Sequence, residues 1–223
     1  MLTQGAQTAG QLTADERPSW TFSPSRTEAG FSACRMGVTW VDGRFKDVHG
    51  KLYLDPERPL ASTCFGEIDV TKLYAGEPRL NTRLRVADVL GDGDRKITFA
   101  AQLVDRTGDT HFKTDAYLTL RGTTRLVTMH VSYLGQWKAP FWIDGEEKGT
   151  VTRVGLKATG AITLRDFGFL SPDELRGERN VTTSAIEITL DIEATLDADL
   201  ATIEALELAA GHGGAAADPS AVH

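Results

Sequence analysis

The clearest pattern of apolar and polar positions runs from Thr114 to Gly135, TDAYLTLRGTTRLVTMHVSYLG. Leu118 and Leu120 alternate with Tyr117, Thr119 and Arg121. Beyond Arg121-Gly122-Thr123, Val127, Met129, Val131 and Tyr133 alternate with Thr128, His130 and Ser132. A period of two on both sides of a short glycine-bearing connection predicts an antiparallel hairpin with one apolar face. A lone hairpin is not stable in water, so that face must close on a larger sheet.

The same alternation recurs along the chain. Ala29, Phe31 and Ala33 predict a first strand continuing through Met36 to Trp40, with a turn or bulge at Asp42-Gly43. Phe45 to Leu54 reads as a second strand bent at Gly50, ended by the turn Asp55-Pro56-Glu57-Arg58-Pro59. Cys64, Gly66, Ile68 and Val70 form the next set. Leu73 to Leu90 is less periodic and reads as a short helix or loop around Asn81–Leu90. Ile97, Phe99, Ala101 and Leu103 give a fourth strand, and Thr107-Gly108-Asp109 turns the chain into the opening hairpin. Gln136 to Gly149 reads as a loop whose Trp137, Phe141 and Trp142 either roof a mouth or pack in the core. Val154, Leu156, Ala158, Ile162 and Leu164 alternate, as do Ile186, Ile188, Leu190 and Ile192, which brings the total to about eight strands. Leu196, Leu200, Ile203 and Leu206 recur at helical spacing and predict a terminal helix across an open barrel end.

The chain therefore divides into a loose polar arm over 1–17, an all-β domain over 18–195, and a helix with a flexible tail over 196–223. Strands with one apolar and one polar face close either as an up-and-down barrel or as a sandwich. Eight strands enclose room for packed side chains or one small ligand. The small inward residues Ala33, Gly66, Ala101, Ala158 and Gly160 leave space inside, although the same pattern also suits tapering.

Composition narrows the function. The 223 residues are 41% hydrophobic and 25% charged, an ordinary globular balance. Lys and Arg total 24 against 31 Asp and Glu, a net charge of −7, which disfavours nucleic acid or an anionic membrane as partner. No apolar run reaches the ~20 residues of a membrane span. The first residues lack a positive start and an apolar core, so a cytoplasmic location is expected. Cys34 and Cys64 fall on different faces, so neither a disulfide nor a metal site is expected of them. His49, His111, His130, His212 and His223 have no metal-pair spacing, and no inward pair of carboxylates offers acid–base chemistry. Asp166-Phe167-Gly168 matches a kinase triplet without its context, and Gly91-Asp92-Gly93-Asp94 lacks the ligands of a calcium loop.

Three arginines stand out. Arg35 shares the alternation of Phe31 and Ala33, Arg26 opens the same strand, and Arg83 lies in the Asn81–Arg85 loop. An inward cation is costly unless an anion offsets it. Each is read either as a salt-bridged or snorkelling side chain, or as an anion-binding group for a ligand's phosphate or carboxylate.

The ordered pieces WTFSP, GFSACRMGVTWVDGRF, Ile68-Asp69-Val70, LRVADVL, ITF, LTLRGTTRLVTMHVSYLG and ATGAITLRDFG, spread over Trp20 to Glu193, resemble the YceI-like family of lipocalin-like, polyisoprenoid-binding barrels. The resemblance implies an extended eight-stranded antiparallel barrel around an elongated apolar cavity. It implies a long isoprenoid, quinone-like or fatty chain inside, with its polar head near one end. Carried over, the tail lining is Phe31, Ala33, Phe45, Ile68, Phe99, Leu118, Leu120, Met129, Val131, Leu156 and Ile188, and the head-group set is Arg26, Arg35 and Arg83. Relatives often carry histidine at those arginine positions, an arginine where Leu164 stands, and an aromatic pair where Val89-Leu90 stands. Many are exported to the periplasm. The expectation is a non-enzymatic lipid carrier or store that needs no cofactor besides its lipid. Two alternatives stand beside it: an enzyme acting on an isoprenoid or quinone-like lipid, and a filled barrel serving as an interaction module or homodimer through its outer face.

Overall fold

The computed structural model describes residues 17–35, 39–55, 57–74, 95–168 and 185–212. Eleven strands form one sheet: β1 (Ser19–Phe22), β2 (Thr27–Arg35), β3 (Thr39–Phe45), β4 (Val48–Tyr53), β5 (Thr63–Asp69), β6 (Leu73–Tyr74), β7 (Lys96–Arg106), β8 (His111–Leu120), β9 (Thr123–Ile143), β10 (Glu146–Thr163) and β11 (Ala185–Leu196). The order is β1-β4-β5-β7-β8-β9-β10-β11-β2-β3-β6, and pairing of β1 with β11 closes the sheet into a barrel. All pairings are antiparallel.

Eleven segments make eight walls because three walls are broken in two. β1 and β2 follow one another along β11, with Trp20 opposite Leu196 and Thr27 opposite Ile192. β3 and β4 face them in turn, and β5 continues into β6 through a 3-10 turn at Val70–Lys72. Each break resets the pleat. Trp20 and Phe22 are buried before the first break and Ala29 after it; Val48 and Leu52 are buried where Phe45 faces inward before the second. The three breaks lie side by side, tied by the amide of Asp69 donating to the Asp47 carbonyl and that of Glu193 to Arg26.

The end with the Thr107–Thr110 turn is called upper here, and that with the Arg121-Gly122 turn lower. Arg121 and Gly122 have φ of 52° and 70°, the left-handed pair that a two-residue hairpin requires. Buried residues gather around Phe22, Val48 and Val154 near the breaks. A second group gathers around Met129 and Leu120 at the lower end, where Phe167 is buried. The Asp166-Phe167-Gly168 triplet is thus structural. It ends a 3-10 turn, and Gly168 (φ 77°) caps it with its amide on Arg165.

Three expectations change. The first strand ends at Arg35, and Thr39–Phe45 is a separate strand antiparallel to it, with Thr39 opposite Arg35 and Asp42-Gly43 inside β3. Residues 136–149 are no loop. β9 and β10 carry their ladder past the barrel to a turn at Asp144 and Gly145, both with positive φ. Trp137 and Trp142 stand exposed on that projecting hairpin. Finally, α1 (Asp197–His212) contributes nothing to the barrel interior. It runs beside β10, where Asp199 accepts the Thr152 amide at 2.6 Å and the buried Ile203 approaches Gly149. Asp197 anchors its start, accepting from Thr21 Oγ1 at 2.6 Å and Lys51 Nζ at 2.9 Å. The arm over 1–16, the 81–90 helix or loop with Arg83, the 91–94 turn and the tail beyond His212 lie outside the described residues.

Candidate functional site

The inward faces of all eight walls enclose a cavity of about 740 Å³. Alternation positions its lining: Ile97, Phe99, Ala101 and Leu103 from β7, Leu118 and Leu120 from β8, Met129 and Val131 from β9, Leu156 and Ala158 from β10, Ile188 and Leu190 from β11. Phe31 and Phe45, 5.8 Å apart between ring centres, close the side formed by β2 and β3. Phe99 stacks on Phe22 at 6.4 Å. Glycines make these rings fit. A Cβ on Gly66 would lie 2.7 Å from Phe99 Cζ, and one on Gly43 2.3 Å from the Phe31 ring. Small wall positions thus seat large rings and also leave space open.

Of the apolar residues singled out in the sequence, Phe31, Phe45, Ile68, Phe99, Leu118, Leu120, Met129, Val131, Leu156 and Ile188 line the cavity. Ala33 does not; it pairs with Ile186 toward the end of β2 and sits outside the lining. Arg83 lies outside the described residues, and the other two arginines do not share one end of their strand. Arg26 and Arg35 flank the nine-residue β2 at opposite ends, about 30 Å apart at the usual rise of ~3.3 Å per residue. Arg26 donates to Glu193 Oε1 at 2.9 Å and lines no part of the cavity. Glu193 sits between the inward Ile192 and Ala194, hence on the other face. The same oxygen receives Arg153 Nη1 at 2.5 Å. Arg153 is 3% exposed, a buried cation whose position alternation did not signal.

Asp55, Ser62, Arg106, Asp109 and Gln136 line the cavity toward its upper end, and Thr63, Thr114 and Thr189 also belong to the lining. Asp55 accepts the amides of Glu57 and Arg58 and the Arg58 Nε. The Arg58 amide, above the opposing effect of burial, holds its carboxyl below the usual range. Arg106 donates to the carbonyls of Gly108 and Asp109 and lies 3.7 Å from the Asp109 carboxylate. Asp55 and Asp109 were missed because they sit in turns, where alternation says nothing about direction. Half-way along, Cys64 faces the cavity, and its enclosure by apolar walls pushes the thiol up to about 12. Cys34 and Cys64 are unbridged. Among the described residues, no cluster of three His, Cys, Asp or Glu could hold a metal, and no helix is long and apolar enough to cross a membrane.

Fold and cavity together define an antiparallel β-barrel built around an apolar interior. The YceI-like domain profile matches residues 20–194, and the chain belongs to that family. It is 27% identical to Protein YceI of Escherichia coli O157:H7 over 168 residues, covering 75% of this chain and 80% of the relative. Its fold is similar to that of BcnA from Burkholderia cenocepacia, with a TM-score of 0.61 and 14% identity, over 77% of this chain and 98% of that one. It is also similar to a polyisoprenoid binding domain from Saccharophagus degradans implicated in plant cell wall breakdown. There the TM-score is 0.55 and the identity 12%, over 81% of this chain and 99% of the other.

Proposed function

We propose that this protein binds one long-chain apolar lipid inside the barrel, of the polyisoprenoid or isoprenoid quinone-like class, and carries or stores it without chemical change. The observation that carries the reading is the cavity: about 740 Å³, walled by apolar side chains from every strand of the barrel. Transfer of each CH₂ group from water into such a space contributes about 0.8 kcal/mol, so the tail supplies most of the affinity. The polyisoprenoid-binding relative supports the choice of tail. The cavity walls, including Phe31, Leu118, Val131 and Ile188, take the tail.

The test is native mass spectrometry of the freshly purified protein, followed by organic extraction. A stoichiometric adduct that extracts as a long-chain lipid is expected from the wild type. Ile188→Asp and Leu118→Asp, both half-buried wall positions, place a carboxylate in the tail's path. Each should lose the adduct while keeping a β-sheet circular dichroism spectrum. Undiminished lipid in both folded variants rejects the reading.

A further inference from the structure

Large apolar side chains stand in water around one end of the barrel. Arg106, Asp109 and Gln136 line the cavity at its upper end, yet Arg106 is half-exposed and Asp109 fully exposed, so the cavity opens to solvent there. The lower end is packed around the buried Phe167. The chain stretches that form the upper rim each expose an apolar residue beside one that lines the cavity. Leu134 (63% exposed) and Trp137 (40%) lie either side of Gln136, Val104 follows Leu103, and Leu60 follows Pro59. Trp142 (55% exposed) stands farther out, near the tip of the projecting β9–β10 hairpin.

The register of that hairpin says what kind of partner fits it. From Trp137, opposite Arg153, to Trp142, opposite Glu147, β9 pairs without a break, so the two indoles point to opposite faces of the ribbon. The Trp137 ring lies over Gly155, where an added Cβ would come 3.1 Å from it and 3.2 Å from the Leu134 Cβ. One face thus carries an apolar patch at the root and the other an indole near the tip. A folded protein surface covers one face of a ribbon; a fluid layer surrounds both. Indole rings, with an apolar body and one N–H, suit the boundary between hydrocarbon and headgroups. Between residues 134 and 152 there are two lysines against three carboxylates, and the whole chain carries −7. An anionic surface would be repelled, whereas a zwitterionic one would not.

Resting on the carrier reading above, we propose that the 134–143 arm of this hairpin enters the headgroup layer of a zwitterionic phospholipid bilayer. It sets the open mouth of the cavity against the membrane, and the lipid tail passes between the two without crossing water.

The experiment floats the full chain with vesicles of phosphatidylcholine and, separately, of phosphatidylglycerol, and follows tryptophan emission. The variants are Trp142→Ser, the double Trp137→Ser/Trp142→Ser, and Trp40→Ser, an equally exposed indole (57%) at the lower end. None of the three tryptophans lines the cavity. The wild type should float with phosphatidylcholine and its emission should shift to the blue. The double variant should bind about tenfold or more weakly, a loss that only ~60 Å² of apolar surface accounts for. Trp142→Ser, at the exposed tip and clear of the barrel, should lose part of that, and Trp40→Ser none. A wild type that stays with the aqueous phase overturns the proposal, as does one that prefers phosphatidylglycerol or an equal loss with Trp40→Ser. So does sedimentation showing a wild-type dimer that Trp142→Ser makes monomeric, since a second copy then covers the hairpin. The lipid adduct, read by native mass spectrometry, separates the two readings. A wild type that floats but holds no lipid, and takes up none from the vesicles, upholds the arm and strikes the carrier reading.

Discussion

A single methyl group on Gly43 tests how wall and cavity share space. The three atoms nearest to a Cβ there all belong to the Phe31 ring, two at 2.3 Å and one at 3.2 Å. Gly43→Ala must therefore displace that ring, and the Phe45 ring at 5.8 Å leaves the cavity as the open direction. Inserting a methylene into a filled core costs about 1–3 kcal/mol. Phe31 borders open volume, so the lower figure applies. At about 1 kcal/mol, a chain of this size melts roughly 2–4 °C lower. In a Phe31→Ala background the obstacle is gone, and Gly43→Ala should then cost less than about 0.5 kcal/mol. Thermal unfolding of the four proteins followed by circular dichroism gives the coupling directly. Native mass spectrometry of the single variant should show weaker tail occupancy, because the ring now occupies tail volume. An equal loss of stability in both backgrounds would refute the reasoning, since the penalty would then come from the backbone.

The Arg153–Glu193 pair should behave as a buried ion pair: Glu193→Ala leaves a 3%-exposed cation unmatched and is expected to cost about 3–5 kcal/mol. Urea unfolding checks this, and a cost below about 1 kcal/mol refutes it. The helix anchor gives a pH dependence. Burial tends to raise the Asp197 carboxyl, but hydrogen bonds from Thr21, Lys51 and Ser19 outweigh it and hold it below its ordinary 3.8. The anchor's contribution is therefore full above pH 3.8 and lost as pH falls through the folded value. Lys51 is held above 10.5 chiefly by its hydrogen bond to Asp197, so its contribution is full below 10.5 and lost at still higher pH. Asp197→Asn should lower the stability at pH 7 and flatten the acid limb of a melting-temperature profile; an unchanged limb counts against the anchor. Cys64, pushed up to about 12, should resist iodoacetamide at pH 8 in the folded protein and react on unfolding, as quantitative thiol alkylation would show.

Much of the wall was legible because period-two patterning survives wherever one face looks into an apolar space. Ten of the eleven tail residues chosen from alternation and resemblance face the cavity. Ala33 alone stands outside the lining, although Ile186, its partner across the ladder, is part of it. The long hairpin was hidden differently. Asp144-Gly145 is a strong turn signal, yet the flanking Lys138, Pro140, Glu146, Glu147 and Lys148 erase the alternation, because beyond the barrel neither face has a core to meet. The arginines were placed together by type, whereas nine residues of extended β2 hold Arg26 and Arg35 at opposite ends. Asp55 and Asp109 belong to turns, and the burial of Arg153 beside Glu193 is a property of its three-dimensional neighbours. None of these is written in a local pattern.

The three aligned breaks in the wall carry a last consequence. On an unbroken strand, an inserted residue would turn every following side chain to the other face. Here the segments at 23–26, 46–47 and 70–72 already absorb a change of phase. They work as a seam between two independently phased tiers. Either tier can be lengthened or shortened at the seam without inverting the other. A barrel of this plan can thus change the depth of its interior while its far end stays as it was.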